Sequence, residues 1–184
     1  MQHATIIGGF GGQGILFAGH VLAQAAVLEG RSVSWMPSYG PEMRGGTASC
    51  TVIVSDRPIG SPIVDAADSV VALTPPSLAK FESLLVPGGL LVINASLIEA
   101  EPRRVDLVLL PIPCTALART AGDDRLVSVV ALGGLIAHRP MVHPDAIRQA
   151  LADLVGDAHP DLLAADLAAF MRGYQEGARV PGPA

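Results

Sequence analysis

The chain is poor in the residues that isolated catalytic or metal sites are usually built from. It has two cysteines in 184 residues, Cys50 and Cys114, far apart and in no C-x-x-C arrangement. They cannot alone hold an iron–sulfur cluster or a four-ligand zinc ion. Two buried free thiols in a reducing compartment is the simpler reading. The five histidines, His3, His20, His138, His143 and His159, form no H-x-x-x-H or H-E-x-x-H pair, so no metal site is expected. No G-x-S-x-G elbow supports serine hydrolysis. The single lysine, Lys80, lies on a helical stretch and outside any Walker A motif. A net charge of −5 and the lack of a basic stripe argue against nucleic-acid binding. No apolar run is fit to span a membrane. The one from Ile15 to Leu28 is interrupted by Gly19, His20 and Gln24. The first residues carry no basic region ahead of a long apolar core, and the expected location is cytoplasmic.

What remains is largely apolar. Half the residues are hydrophobic, 16% are charged, and mean hydropathy is +0.46, which excludes a disordered chain. The length suits one domain with its own core. Burial in a parallel sheet accounts for part of the hydropathy. The excess is read as surface that a partner covers.

Ala4 to Gly8 reads as a strand that runs into Gly9-Phe10-Gly11-Gly12-Gln13-Gly14 and a helix from Ile15 to Glu29, stopped at Gly30. Strands follow at Ser32–Met36 and Thr47–Val54. The connection Pro37–Gly46 has no helical period and is too short for a parallel crossover, so these two strands are predicted to be antiparallel neighbours. Further strands are expected at Ser69–Leu73, Leu90–Ile93 and Val105–Leu110, with a helix over Pro75–Leu85 and a turn at Pro87-Gly88-Gly89. The remainder is helical at Ala116–Ala121, Leu126–Ala137, Pro144–Val155 and Pro160–Tyr174. The prediction is an α/β, three-layer Rossmann-like domain over residues 1–175, with a mostly parallel, mixed central sheet flanked by helices. A flexible tail over 176–184 completes it.

Two segments carry the functional signal. Gly9, Gly11 and Gly14 match G-x-G-x-x-G, whose glycines admit a phosphate to the N–H groups at a helix start. A dinucleotide site also needs an acid at the end of the second strand, and Trp35-Met36-Pro37-Ser38 supplies none. An anion or pyrophosphate site and a tight packing turn both remain open. The second segment is Ser38-Tyr39-Gly40-Pro41-Glu42-Met43-Arg44-Gly45-Gly46. Only four formal charges occur in the first 55 residues, and two of them, Glu42 and Arg44, lie here. Arg44, beside Gly45 and Gly46, can meet a carboxylate or phosphate, or pair with Glu42 to hold the loop. Tyr39 can stack or donate a hydrogen bond. The apolar stripe through Leu126, Val129, Val130, Leu132 and Leu135 reads as core or subunit interface. Gly133-Gly134 within it points to close helix packing.

Gly9 to Gly14, together with Ser38 to Ala48 (Ser-Tyr-Gly-Pro-Glu-Met-Arg-Gly-Gly-Thr-Ala), resembles the gamma subunit of 2-oxoacid:ferredoxin oxidoreductases, the pyruvate, 2-oxoglutarate and 2-oxoisovalerate enzymes. Val130 to Gly133 and Ala168 to Tyr174 extend the resemblance over nearly the whole chain. Two departures stand out. The family often has an asparagine near Asp166, and an Asn-Cys where this chain has Ser49-Cys50. A related branch, the indolepyruvate oxidoreductase small subunit, has a loop like Gly-Met-Ser-Gln-Arg-Gly-Gly, so Gly40 to Arg44 favours the first branch.

The resemblance implies a complex that converts a 2-oxoacid, coenzyme A and oxidised ferredoxin to acyl-CoA, carbon dioxide and reduced ferredoxin. Thiamine diphosphate, magnesium and iron–sulfur clusters would sit in partner alpha, beta and iron–sulfur subunits. This chain would carry no cofactor stably and be inactive alone, with no catalytic residue assigned. Gly9, Gly11, Gly12, Gln13, Gly14, Tyr39, Arg44, Gly45 and Gly46 are the candidates for the coenzyme A side of the site. A homodimer of the isolated chain through the apolar face, and a stand-alone nucleotide-binding or regulatory domain, are the alternatives.

Overall fold

Strand β1 (Gln2–Phe10) is buried without interruption from His3 to Gly9, as a strand with helices on both faces must be. In a computed structural model that describes residues 1–39, 47–156 and 159–180, it lies near the middle of a six-stranded sheet. The other strands are β2 (Ser32–Tyr39), β3 (Thr47–Ser55), β4 (Ala67–Ala72), β5 (Leu85–Asn94) and β6 (Val108–Ile112), in the order β2-β3-β1-β4-β5-β6. β1, β4, β5 and β6 pair in parallel, while β3 is antiparallel to both β1 and β2. The sheet is mixed, and β2 and β3 are antiparallel neighbours, as their short connection requires.

The helices are α1 (Ile15–Leu28), α2 (Pro75–Phe81), α3 (Cys114–Ala121), α4 (Val127–His138), α5 (Pro144–Leu151) and α6 (Pro160–Arg179). One face of the sheet packs through Ile7, Val52, Val71, Leu90 and Val92 against α1, α4, α5 and α6. The other packs through Ile6, Val70, Leu91 and Ile93 against α2, whose Leu78 and Phe81 complete a smaller cluster. This is the expected three-layer α/β arrangement. Every residue of α4 from Val127 to Ile136 is buried, because α4 lies between the sheet and α6. That placement explains why it is apolar on all sides. Added side chains at Gly133 and Gly173 would strike the backbone of the facing helix, at Phe170 and Val130 respectively.

Several boundaries differ from those read in the sequence. β1 continues through Gly9 and Phe10, which pair with Ala48 and Thr47. β2 continues through Pro37 to Tyr39, since it is an edge strand and proline there forfeits no ladder bond on its open side. β6 begins at Val108, three residues late, and Val105 is fully exposed. α2 stops at Phe81, and a single 3₁₀ turn over Glu82–Leu84 leads into β5, which contains the predicted Pro87–Gly89 turn. α6 carries on to Arg179, so residues 176–179 belong to the helix and not to a frayed tail. Gly177 packs onto Gly134 of α4, with 2.8 Å from the position of an added Cβ to the Gly134 Cα, and Arg179 pairs with Glu176 at 2.7 Å.

Candidate functional site

Two motifs about thirty residues apart in sequence meet at one end of the sheet. β1 ends at Phe10 and opens the glycine loop there. β3 begins at Thr47 opposite Phe10, and β2 ends at Tyr39 opposite Ala48. The connection from 40 to 46 therefore leaves and re-enters the sheet beside the glycine loop. Arg44, Gly45 and Gly46 themselves lie outside the described residues, as does the Tyr39 side chain. This is also the end where the sheet changes winding. The chain leaves β1 by α1 on one face and β4 by α2 on the other. Open α/β sheets bind ligands at that kind of point.

The loop is tied by its own glutamine. The Gln13 side-chain oxygen accepts from the Phe10 N–H at 2.8 Å, and the Gln13 N–H donates to the Phe10 carbonyl at 3.3 Å. A Cβ on Gly9 would displace the ends of the Gln13 and Ile15 side chains, striking Gln13 Oε1 and standing 2.7 Å from Ile15 Cδ1. Gly12 and Gly14 have φ of +95° and +74°. Gly11 and Gly12 are exposed, and a Cβ on Gly12 would meet no described residue within 4 Å. The outer side of the loop is thus open to a ligand. Gly14 faces inward, where a Cβ would come within 2.7 Å of Ser128 Oγ and 2.9 Å of the Arg125 carbonyl. Gly14 caps α1 without a side chain, and no acidic residue occupies the first turn. The N–H groups there keep the capacity to meet an anion.

Further along the same rim, Thr74 and Ser77 form a reciprocal capping box at the start of α2. Asn94, fully buried at the end of β5, donates to the Leu73 carbonyl at 3.3 Å and to Thr115 Oγ1 at 2.9 Å. It accepts from the Ser96 and Thr115 N–H groups. In the sequence Asn94-Ala95-Ser96 resembles only a glycosylation acceptor. In the fold Asn94 ties β4, β5 and the start of α3 together.

Sequence reasoning passed over Asp166 as a site residue. It is 5% exposed on α6 and borders a pocket with Gly14, Asp123 and Arg125. Burial, reinforced by the charge of Asp123, pushes its carboxyl up to about 6. Asp123 itself is held below the usual carboxylate range by Arg125, whose guanidinium grips it at 2.6–2.9 Å. The signal that could have found Asp166 is an acid on the inner face of a helix, one residue after Ala165 and three before buried Ala169.

Neither cysteine is placed for chemistry. The Cys50 thiol donates to the Ile15 carbonyl at 3.5 Å, and burial raises its pKa to about 12. Cys114 is fully buried, and that burial raises its pKa too. Among the described residues no three His, Cys, Asp or Glu side chains are placed to hold a metal ion. Nor, among these residues, is any helix long and apolar enough to cross a membrane.

Residues 4–176 match the pyruvate ferredoxin/flavodoxin oxidoreductase family. The ketoisovalerate oxidoreductase subunit VorA of Methanothermobacter thermautotrophicus is 44% identical over 131 residues, which is 71% of this chain and 27% of that protein. The chain thus spans only about a quarter of the VorA length. The 2-oxoglutarate synthase subunit KorC of Methanocaldococcus jannaschii is 32% identical over 180 residues, 95% of this chain and 94% of KorC. The crystal structure of a keto/oxoacid ferredoxin oxidoreductase gamma subunit from Geobacter sulfurreducens superposes with a TM-score of 0.84 at 27% identity, covering 97% of this chain and 99% of that one. With a family match over almost its full length and a relative of like size that pairs with it end to end, the chain belongs to the pyruvate ferredoxin/flavodoxin oxidoreductase family, as a gamma-type unit.

Proposed function

We propose that this chain is the gamma subunit of a multi-subunit enzyme that oxidatively decarboxylates a 2-oxoacid to an acyl-CoA while reducing ferredoxin. It acts in the cytoplasm with thiamine diphosphate-binding alpha and beta subunits and an iron–sulfur subunit. Those partners hold the thiamine diphosphate, magnesium and clusters. The two cysteines here point singly into the core, so the donor set does not fit a cluster in this chain.

Its own contribution is the rim formed by Gly11–Gly14 and the 39–46 connection, which faces coenzyme A and the partner subunits. The observation that supports this reading is the convergence of both motifs on the carboxyl end of β1. The open face of Gly11 and Gly12 lets a phosphate reach backbone N–H groups, and Arg44 supplies a guanidinium for a second phosphate. Coenzyme A, with a pyrophosphate and a separate phosphate, matches two such receptors. The carboxylates of Asp123 and Asp166 keep phosphate out of the inner pocket, so the anion approaches from the outer side of the loop.

The test is Arg44→Ala in the reconstituted complex. Loss of a charge-assisted hydrogen bond raises the KM for coenzyme A about tenfold, with the KM for the 2-oxoacid unchanged. An unchanged KM for coenzyme A, with a lower yield of assembled complex, would make the loop a subunit contact instead. Co-purification with the partner subunits is the wider test. Recovery of the chain alone, heat-stabilised by NAD, FAD or ATP, would replace the oxidoreductase reading with a stand-alone nucleotide-binding domain.

A further inference from the structure

The rim does not use the pocket on the inner side of Gly14. This cavity of about 290 Å³ lies between the start of α1, the Asp124–Leu126 turn, the segment after α5, and α6. Phe17, Leu126, Val155 and Leu162 make it mostly apolar. Asp166 opens into it. The residue is 5% exposed, and among the described residues no donor reaches its carboxylate. The neighbouring guanidinium of Arg125 is committed to Asp123 through two bonds. Directly behind Gly14, the buried Ser128 hydroxyl also lacks a partner. A carboxylate that water reaches only through the pocket, and that no described group bonds, leaves its oxygens free for a donor from outside the chain.

We propose that the pocket receives a lysine or arginine side chain of a partner subunit, its aliphatic stem against the apolar walls and its cation on Asp166. This rests on the reading of the chain as a subunit. Charge selects the occupant, because two carboxylates face the space against one guanidinium that is already paired. Size selects it too. The volume sits at the bottom of the range for small-molecule sites, about 300–1,000 Å³, and is too small for a coenzyme. An apolar sleeve ending in an acid is the counterpart of a long side chain with a charged tip.

Among the described residues, the charged groups that line the pocket with Asp166 are Asp123 and Arg125, both from the 123–126 turn. In the free chain Asp166 titrates at about 6. A cation seated on it favours the ionised form, so docking expels the proton and strengthens as pH rises. The experiment is the affinity of the chain for its co-expressed partner, measured from pH 5 to pH 7. The Kd of the wild type falls about tenfold over this range. Asp166→Asn removes the pH dependence and weakens binding about tenfold at pH 7, while the isolated variant melts at a higher temperature than wild type. Ala165→Leu, which fills the pocket without touching charge, also weakens binding. Wild-type affinity in both variants would overturn the proposal. So would heat-stabilisation of the isolated chain by n-pentylamine with assembly untouched, which would assign the pocket to a free amine. A wild-type chain that assembles with no partner would sink the subunit reading itself, and this docking site with it.

Discussion

Glycine serves two opposite purposes in this molecule. In the α4–α6 contact, Gly133 and Gly173 sit in ordinary helix, and what they supply is the absence of a side chain. Each lets one backbone lie on the other. In the loop before α1, Gly12 and Gly14 supply a positive φ, and a Cβ on Gly12 would meet no described residue within 4 Å. The first pair makes the core compact. The second shapes a surface. A glycine count cannot separate the two, yet the same substitution should have very different results in each place.

The largest effect is expected at the helix contact. Gly173→Ala forces a methyl group into the Val130 backbone and should cost about 3 kcal/mol, a fall in melting temperature of about 10 °C. Thermal unfolding of the isolated chain measures it. A small loss there would mean that α6 can slide on α4, and the contrast between the two glycine classes would collapse. Gly14 belongs to both classes, with φ at +74° and its Cβ position 2.7 Å from Ser128 Oγ. Gly14→Ala should cost about 2 kcal/mol. Ser128→Ala in the same chain should return part of it, which a double-mutant cycle in urea would resolve.

Gly12→Ala bears only the strain of its backbone, about 1 kcal/mol. Because no described residue touches the new methyl group, a raised KM for coenzyme A in the assembled enzyme is the result expected if a ligand or partner sits at the loop. An unchanged KM would put coenzyme A elsewhere. The smallest effect lies far from both glycine sets. His3 is buried with its Nε2 2.9 Å from Ser69 Oγ. Burial lowers its pKa, with Arg139 adding to the shift and Asp68 opposing it. The unfolded chain therefore binds a proton that the folded chain resists. The stability that depends on neutral His3 is complete above about pH 6.5 and falls as the pH drops below that value. The urea midpoint at pH 7.5 and pH 5.5 tests this, and His3→Gln should flatten the difference.

How much of this could be read from the chain depends on how local each cause is. The β1–loop–α1 unit was legible, because a strand, a glycine run and a helix stop at Gly30 follow one another. So was the antiparallel β2–β3 pair, since connection length decides it. Pro37 misled, because proline disfavours strands in general but not at an open edge. Gly177 misled in the opposite direction. It reads as the start of a loose tail, and in the fold it lets the last turn of α6 close on Gly134. The convergence of the two motifs depends on strand order, which no local pattern encodes. The Asp166 pocket is assembled from four separate stretches, at residues 14–17, 123–126, 155 and 162–166. Its acid is conspicuous only once its neighbours are known.

The antiparallel insertion of β3 also sets an order of events. β1 and β2 run in the same direction and are joined through α1, yet they never touch, because β3 occupies the lane between them. A nascent chain that has emerged only as far as β2 has no partner for that strand. α1 can close over β1, but β2 must wait until the nine residues of β3, Thr47–Ser55, arrive and seat on β1 first. β2 therefore joins the sheet only after β3 has done so, and as an edge strand it is among the first parts that local opening should release. Amide exchange should rank β2 below β3, and β3 no higher than β1. The β2–β3 ends thus stand at an edge of an otherwise tightly buried sheet.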